Sequence, residues 1–330
     1  MLQFDETFMD FLLEHQERHN RTYHFLILMN ALMNSAKRIQ YYYLTGALRG
    51  NLGLAGSVNV QGEDVMQMDE IANEVVKYHL RRSGRVIQAV SEEEKDIISM
   101  NLEGGRYFVY YDPLDGSSNV RHNLPVGFLF GVAKRNLEGP EDRHLRAGRE
   151  FIAAGMFVIP TGTFTIALHD AGCWRFHIDE TMNYVRPIRV TLPEEKKKWE
   201  LSFNSSNRET FALPVQQWIR ENEKKYGFRY LGALAGDFHR ILTDGGLFMY
   251  PAIVSHPDPS KNRPQGKLRL MYEAAPVAFM CREAGGGAVD ERGTPILDLV
   301  PQSHHQRTAL YLGSGVLVDS VSGVLEEGSR

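Results

Sequence analysis

The sequence predicts a mixed α/β protein built in layers, and three observations carry that expectation. Residues 7–43 place apolar side chains at helical spacing, with Phe8, Phe11 and Leu12 followed by Leu28, Leu32, Ala36 and Ile39. β-branched and aromatic runs come next, at residues 85–90, 107–111 and 127–133. Beyond residue 193, strand-like and helix-like stretches alternate, the pattern of helices laid on sheets. With 330 residues, 43% of them hydrophobic, the chain can bury one large core or two medium ones.

Taken in order, the helical region 7–43 is interrupted near His19-Asn20-Arg21-Thr22. Residues 51–61, rich in Gly, Asn and small side chains, read as a mobile loop. A helix is expected over 63–82, then strands at 85–90, 107–111, 127–133, 157–168 and 173–177. The run Pro193-Glu194-Glu195-Lys196-Lys197-Lys198 reads as a solvated loop and divides the chain into an N-terminal half, 1–192, and a C-terminal half, 193–330. In the second half strands are expected at 199–203, 228–231, 247–251 and 309–312, and helices at 210–225, 237–244 and 276–284.

Composition narrows the function classes. The net charge is −4 and no strongly basic block appears, so nucleic-acid binding has no electrostatic support. No apolar run reaches membrane-spanning length, and the early acids of Met1-Leu2-Gln3-Phe4-Asp5-Glu6 are unlike a signal or transit peptide; a soluble cytoplasmic enzyme is expected. The two cysteines, Cys173 and Cys281, cannot form a disulfide framework or a multi-cysteine zinc site and read as core residues.

The most informative stretch is Asp112-Pro113-Leu114-Asp115-Gly116-Ser117-Ser118-Asn119. Two carboxylates lie three residues apart at the end of the apolar run Arg106-Tyr107-Phe108-Val109-Tyr110-Tyr111, and a small, donor-rich Gly-Ser-Ser follows. The carboxylates are thus expected where a strand ends and a short helix begins, a terminus with free N–H groups suited to phosphate. Carboxylates for hard cations beside donors for phosphate are the parts of a metal-dependent phosphatase.

Other acids join this set with different strength. Asp69 falls on the apolar stripe of its helix with Val65, Met68, Ala72, Val75 and Val76, where a carboxylate is costly unless paired or bound to a cation; a buried salt bridge is the alternative. Glu92 and Glu93 follow an apolar strand, but an exposed acidic loop explains them equally well from the residues alone. Glu273 precedes the helix that Pro276 opens and reads also as a helix-start acid.

The octapeptide resembles the signature of the lithium-sensitive sugar and inositol phosphatases, in the form used by class I fructose-1,6-bisphosphatases. The resemblance continues through residues 51–69, Ser91-Glu92-Glu93, Arg229-Tyr230-Leu231-Gly232, Gly246-Leu247-Phe248-Met249-Tyr250-Pro251 and Gly266-Lys267-Leu268-Arg269-Leu270-Met271-Tyr272-Glu273, in the family's order. It implies a sugar-phosphatase fold of stacked α/β/α/β/α layers with the site between the halves, and it turns Glu92 and Glu93 from loop acids into site residues.

Asp69, Glu92, Glu93, Asp112, Asp115 and Glu273 could not be held close without counter-ions. Two or three Mg²⁺ per subunit would resolve the conflict, with the Leu114 carbonyl as an added ligand and Mn²⁺ as a substitute; no His/Cys cluster argues for zinc. His304-His305 and His15/His19 read as surface or packing residues. The resemblance gives Asp69, Glu92 and Glu93 the catalytic roles, and Glu92, Asp112, Leu114, Asp115 and Glu273 the metal. It gives Asp115, Gly116, Ser117 and Ser118 one phosphate, and Asn204, Tyr230, Tyr250 and Lys267 the other, with Arg229 reaching in from a neighbouring subunit of a homodimer or homotetramer.

Two departures from the family pattern touch the substrate side: Asn207 stands where a Tyr is usual and Ala233 where a Ser is usual. The expected activity is Mg²⁺-dependent hydrolysis of fructose 1,6-bisphosphate to fructose 6-phosphate and phosphate, as in gluconeogenesis or the Calvin cycle. Sedoheptulose 1,7-bisphosphate, a broad inositol-type monophosphatase and an inactive sugar-phosphate sensor are the alternatives. Family members regulated by AMP carry small residues, threonines and an acid between the first two helices. Here Tyr23, His24 and Leu26 replace a Gly, the Glu and a Thr, so weak or absent AMP inhibition is expected.

Overall fold

Two large sheets and three helical layers organise the chain in this computed structural model, which describes residues 5–19, 22–49, 54–58, 64–136 and 143–328. The first half runs α1 (Phe8–His19), α2 (Tyr23–Arg49), β1 (Leu54–Val58), β2 (Asp64–Met66), α3 (Gln67–Ser83), β3 (Val86–Ser91), β4 (Ile98–Ser99), β5 (Tyr107–Asp115), a 3₁₀ turn (Ser117–His122), β6 (Val126–Lys134), β7 (Phe151–Ile159), β8 (Thr163–Leu168), β9 (Gly172–Ile178) and β10 (Tyr184–Val190). The second half runs β11 (Glu200–Ser202), α4 (Leu213–Asn222), β12 (Gly227–Phe228), α5 (Leu234–Asp244), β13 (Leu247–Tyr250), β14 (Leu268–Arg269), a π turn (Leu270–Ala274), α6 (Ala275–Glu283), β15 (Gly286–Val289), β16 (Arg307–Thr308), β17 (Leu310–Ser314) and α7 (Gly315–Gly328).

An eight-stranded sheet has the order β10-β9-β8-β7-β6-β5-β3-β4, and a five-stranded sheet the order β12-β11-β13-β17-β15. Strand alternation sorts the core. In β5, Tyr107, Val109 and Tyr111 pack with Phe8, Leu28, Leu32, Ala36 and Val76 of α1, α2 and α3. Phe108 and Tyr110 face the opposite way, into a cluster with Phe238 and Ile241 of α5, Val277 and Met280 of α6, and Phe248 and Leu312 of the second sheet. The far face of the second sheet packs on Trp218 and Ile219 of α4 and Val318 and Val321 of α7. Helices α1–α3, sheet, α5–α6, sheet and α4 with α7 make the five stacked layers. Because β5 and β6 are covered on both faces, their central residues are buried throughout, and their sequences read as continuous apolar runs.

The structure departs from the sequence-based expectations at several elements. The expected loop at 51–61 contains β1, paired antiparallel with β2; residues 51–53 and 59–61 lie outside the described residues, as do Glu63, Asn20 and Arg21. The helix expected from 63 begins at Gln67, because 64–66 are taken up by β2. The single strand expected at 157–168 is two strands, broken where Pro160 and Gly162 (φ +69°) turn the chain. Pro214 sits in the first turn of α4 and opens it later than periodicity suggested. The strand expected at 228–231 is reduced to Gly227–Phe228, and α5 starts earlier, at Leu234. β10 is not suggested by its sequence, where Arg186, Pro187 and Arg189 look unlike a strand; it lies at the sheet edge, where proline is tolerated. β4, β14, β15, β16 and α7 were likewise not anticipated. Among the described residues, no helix is long and apolar enough to cross a membrane.

Candidate active site

The carboxylates stand inside strand β5 rather than beyond its end. Asp112 pairs with Leu129 of β6 and Asp115 with Gly127, so a three-residue step on β5 faces a two-residue step on β6. On a regular strand, residues three apart point to opposite faces. The bulge at Pro113 and Leu114 adds the residue that returns both acids to one side, and Pro113 supplies no N–H to the ladder it interrupts. The strand then ends at Gly116, in the left-handed region (φ +76°), where a Cβ would stand 2.5 Å from the Cβ of Ala233.

Glu273 arrives from the second half. The π turn carries it to the two aspartates, and carboxylate oxygens of Asp112, Asp115 and Glu273 all lie within 4.8 Å of one another. All three side chains are buried. Burial, followed by the charges of Glu92, Asp115 and Glu273, holds the Asp112 carboxyl well above the usual range. Burial likewise pushes Asp115 up to about 7, against two opposing backbone hydrogen bonds, and Glu273 up to about 8. The Glu92 charge contributes at all three, and Glu92 lies at the end of β3 with its amide donating to the Tyr111 carbonyl at 3.2 Å.

A cation of the same chain faces this set. Arg269 is buried; its Nη2 lies 3.5 Å from Glu92 Oε1, and its backbone amide donates to Glu273 Oε2 at 2.6 Å. One guanidinium cannot by itself offset four acids, and the charge deficit it leaves is costly under burial, by several kcal/mol per uncompensated ion. Protons or cations must fill it, and an all-oxygen, closely spaced ligand set suits a hard divalent cation. The site can hold a metal.

Asp115 has a second attachment. Leu234 and Ala235 amides, at the start of α5, donate to its Oδ1 at 3.1 Å and Oδ2 at 2.7 Å. Gly127 makes this approach feasible: a Cβ there would lie 2.1 Å from the Ala235 Cβ. Leu114 is buried, and its amide donates to Asp112 Oδ1 at 2.9 Å, which fixes the bulge. Ser117 and Ser118 open the 3₁₀ turn, whose first N–H groups have no carbonyl within the turn to bond.

The remaining expected residues separate into near and far. Asp69 is buried in the first turn of α3, which packs on β5 and on the 3₁₀ turn, but it is not part of the tight triad. Glu93 is half-buried, with its amide on Ser91 Oγ at 3.3 Å. Tyr230 lies within electrostatic reach of Tyr250, Asp237 and Asp115, and burial raises its phenol pKa. Tyr250 ends β13, and Lys267 is half-buried just before β14. Asn204 caps the 3₁₀ turn Ser205–Thr210, its Oδ1 accepting from the Ser206 amide and hydroxyl, which leaves its Nδ2 as the donor. Arg229 stays apart: its side chain is 70% exposed and its Nε sits 3.3 Å from Glu200 Oε1.

Three residues in this region had no role in the sequence reading. Arg269 was one, its signal being a cation inside an apolar run. Asp237 is fully buried on the apolar face of α5; it accepts from the Leu231 and Gly232 amides, Ser202 Oγ and Arg240, and so holds the loop carrying Tyr230. The stripe argument applied to Asp69 would have found it. Asn73 takes hydrogen bonds from Ser91 and Tyr111 on its Oδ1 and donates to Glu94, which Lys77 also binds, so Glu94 ties α3 to the 92–96 loop. His15 and His305 behave as packing groups: His15 lies on Phe11, and His305 bonds the Tyr272 hydroxyl at 2.8 Å; the His19 side chain lies outside the described residues. Cys173 and Cys281 are buried free thiols.

Known proteins can now be set beside this geometry. The family described as "Fructose-1-6-bisphosphatase, N-terminal domain" matches residues 6–185, and "Fructose-1-6-bisphosphatase, C-terminal domain" matches 192–326. The chain is 67% identical over 329 residues to a class 1 fructose-1,6-bisphosphatase of Syntrophus aciditrophicus, covering 98% of this chain and 99% of that one. It is 37% identical to the class 1 enzyme of Nitratidesulfovibrio vulgaris, covering 96% and 97%. Among solved structures, holo fructose-1,6-bisphosphatase of Leishmania major superposes with a TM-score of 0.89 at 28% identity, covering 98% of this chain and 99% of that chain. Matched from end to end in sequence and in fold, this chain belongs to the class 1 fructose-1,6-bisphosphatase family.

Proposed function

We propose that the chain hydrolyses the 1-phosphate of fructose 1,6-bisphosphate, giving fructose 6-phosphate and inorganic phosphate. The observation that carries the reading is the buried triad Asp112, Asp115 and Glu273, with Arg269 placed beside it, in a chain so similar to class 1 enzymes. Asp112, Asp115, Glu273, Glu92 and the Leu114 carbonyl would hold two or three Mg²⁺ ions, with Mn²⁺ able to replace them. When bound, such ions supply an acidified water and charge stabilisation at the phosphoryl group. Asp69, Glu92 and Glu93 orient the attacking water and accept its proton. Gly116, Ser117 and Ser118, with Asp115, fix the reacting phosphate at the start of the 3₁₀ turn.

The distal phosphate falls to Asn204, Tyr230, Tyr250 and Lys267, which offer amide, phenol and ammonium donors around the π turn and β13. Arg229 completes that site from a neighbouring subunit of a homodimer or homotetramer. Its 70% exposed side chain supports this, since within its own chain it contacts Glu200 rather than the cluster. The division into halves at residue 193 places metal ligands in both, with Glu273 the contribution of the second. A substrate panel with Mg²⁺ tests the reading. The highest kcat/KM should be for fructose 1,6-bisphosphate. Preference for sedoheptulose 1,7-bisphosphate would overturn the substrate, preference for inositol 1-phosphate the distal site, and no turnover of any would make the chain a sensor.

A further inference from the structure

A second polar site lies on the face of the eight-stranded sheet that α5 covers, apart from the carboxylates. In the β8–β9 pairing Thr165 stands opposite Arg175, and Thr163 opposite His177. Strand alternation sends these side chains to the face that also carries Ala167 and Cys173 into the core beneath α5 and α6. α5 brings His239 to the same patch, where Arg175 and His177 act on its imidazole.

Among the described residues, four buried polar atoms here have no hydrogen-bond partner: Nε and Nη2 of Arg175, Oγ1 of Thr165 and Nδ1 of His239. Thr165 is wholly buried. Native structures satisfy buried polar groups almost without exception, so a group of unsatisfied ones marks a place where something binds. The two Arg175 nitrogens are informative as a pair. Nε and Nη2 share one edge of the guanidinium, their N–H bonds run side by side, and that edge engages two oxygens of a carboxylate or a phosphate. A hydroxyl and an imidazole nitrogen beside it are suitable further partners for an oxyanion.

We propose that Arg175, Thr165 and His239 form a binding site for a small oxyanion, a carboxylate or phosphate group, separate from the site that hydrolyses substrate. Burial lowers the Arg175 pKa, and burial followed by the charges of Arg175 and His177 pushes His239 down to about 4. Asp244 is the carboxylate that acts on both; it is exposed at the end of α5 and makes no ion pair with Arg175 among the described residues. His177, exposed at the rim, marks the side open to solvent. The occupant would join β8 and β9 to α5, the helix whose first amides hold Asp115.

The test uses the full chain with sulfate and malonate as probes, sodium chloride holding ionic strength constant. The side-chain ¹⁵N resonance of His239, assigned by its loss in His239→Gln, should move saturably with one or both anions. Tighter binding of sulfate identifies a phosphate-type site, and tighter binding of malonate a carboxylate-type site. Crystals soaked in selenate should show an anomalous peak at Arg175. Arg175→Met should weaken the anion about 10- to 100-fold, as loss of a charged bidentate donor does. Its kcat and KM should stay within about two-fold of wild type, as for a change away from the reacting atoms. Asp244→Asn should tighten binding. A His239 resonance unmoved by both anions overturns the proposal, whether the crystal shows only an ordered water or a selenate that solution does not reproduce. Unchanged affinity in Arg175→Met overturns it too. Should that variant fail to fold, the wild-type titration decides alone.

Discussion

Asp112, Asp115 and Glu273 form the buried carboxylate triad proposed to hold the metal, and their protonation gives a direct test. Each carboxyl sits above its ordinary range because burial and like charges disfavour ionisation in the folded chain. The folded state therefore keeps protons that the unfolded state has released. For Asp115 this holds between its ordinary 3.8 and about 7, and for Glu273 between 4.5 and about 8. Stability from these groups is full below pH 4 and is lost as pH rises through those values. In chelator, Tm should fall by several degrees across this window, and Mg²⁺ should restore more at pH 8 than at pH 5, since the cation replaces protons. A chelated protein whose Tm is indifferent to Mg²⁺ at pH 8 would count against the metal assignment. Asp112→Asn and Asp69→Ala, assayed separately at saturating Mg²⁺, should each lower kcat about a hundredfold or more. Near-normal kcat in either removes that residue from the site.

The region expected to decide AMP sensitivity is also a matter of single residues. Thr22 lies 3.1 Å from the Tyr107 hydroxyl, Tyr23 is exposed, and Leu26 is buried where a hydroxyl would serve a phosphate. AMP at low micromolar concentration should leave activity unchanged; potent inhibition in a titration would show that the altered turn still cradles the nucleotide.

Among the elements, β5 and α5 do the positioning. β5 reads in the sequence as an ordinary buried strand, and its apolar run was legible. That it continues through Asp115, and that a bulge at Pro113 and Leu114 turns both acids to one face, depends on pairing with β6. α5 was visible as a helix, but its docking on Asp115 depends on Gly127, which periodicity cannot single out among the chain's 30 glycines. Gly127→Ala puts a Cβ 2.1 Å from the Ala235 Cβ. It should cost about 1–3 kcal/mol, as overpacking does, read as a lower urea midpoint. It should also lower kcat by moving Asp115, and an unchanged midpoint with unchanged kcat would show that the two backbones part freely.

At the scale of the whole molecule, the site forms where the halves meet: β5 brings two acids, the π turn brings Glu273 and Arg269, and the loop held by Asp237 brings Tyr230. Arg229 is exposed and is proposed to serve a neighbouring subunit. Mixing Arg229→Ala subunits with Asp112→Asn subunits should recover part of the activity, because some sites then hold both groups intact. Verified hybrids with no recovery would exclude a role across the subunit boundary.

By itself the sequence determined the layered α/β class, the buried strands, and the octapeptide whose acids and donors suit metal and phosphate. Those are properties of neighbouring residues, set by side-chain periodicity and by which groups tolerate burial. It also pointed to Asp69, through an acid on an apolar stripe. Tertiary structure alone decided that Arg269 faces the carboxylates as a counter-charge, that Asp237 and Asn73 brace the loops, and that Asp115 is held by α5. It also decided that Thr165 stands opposite Arg175 on neighbouring strands and that His239 lies within electrostatic reach of Arg175. Each of these joins residues distant in the chain, and charge compensation and hydrogen bonding act through space, over a few ångströms that no local pattern records.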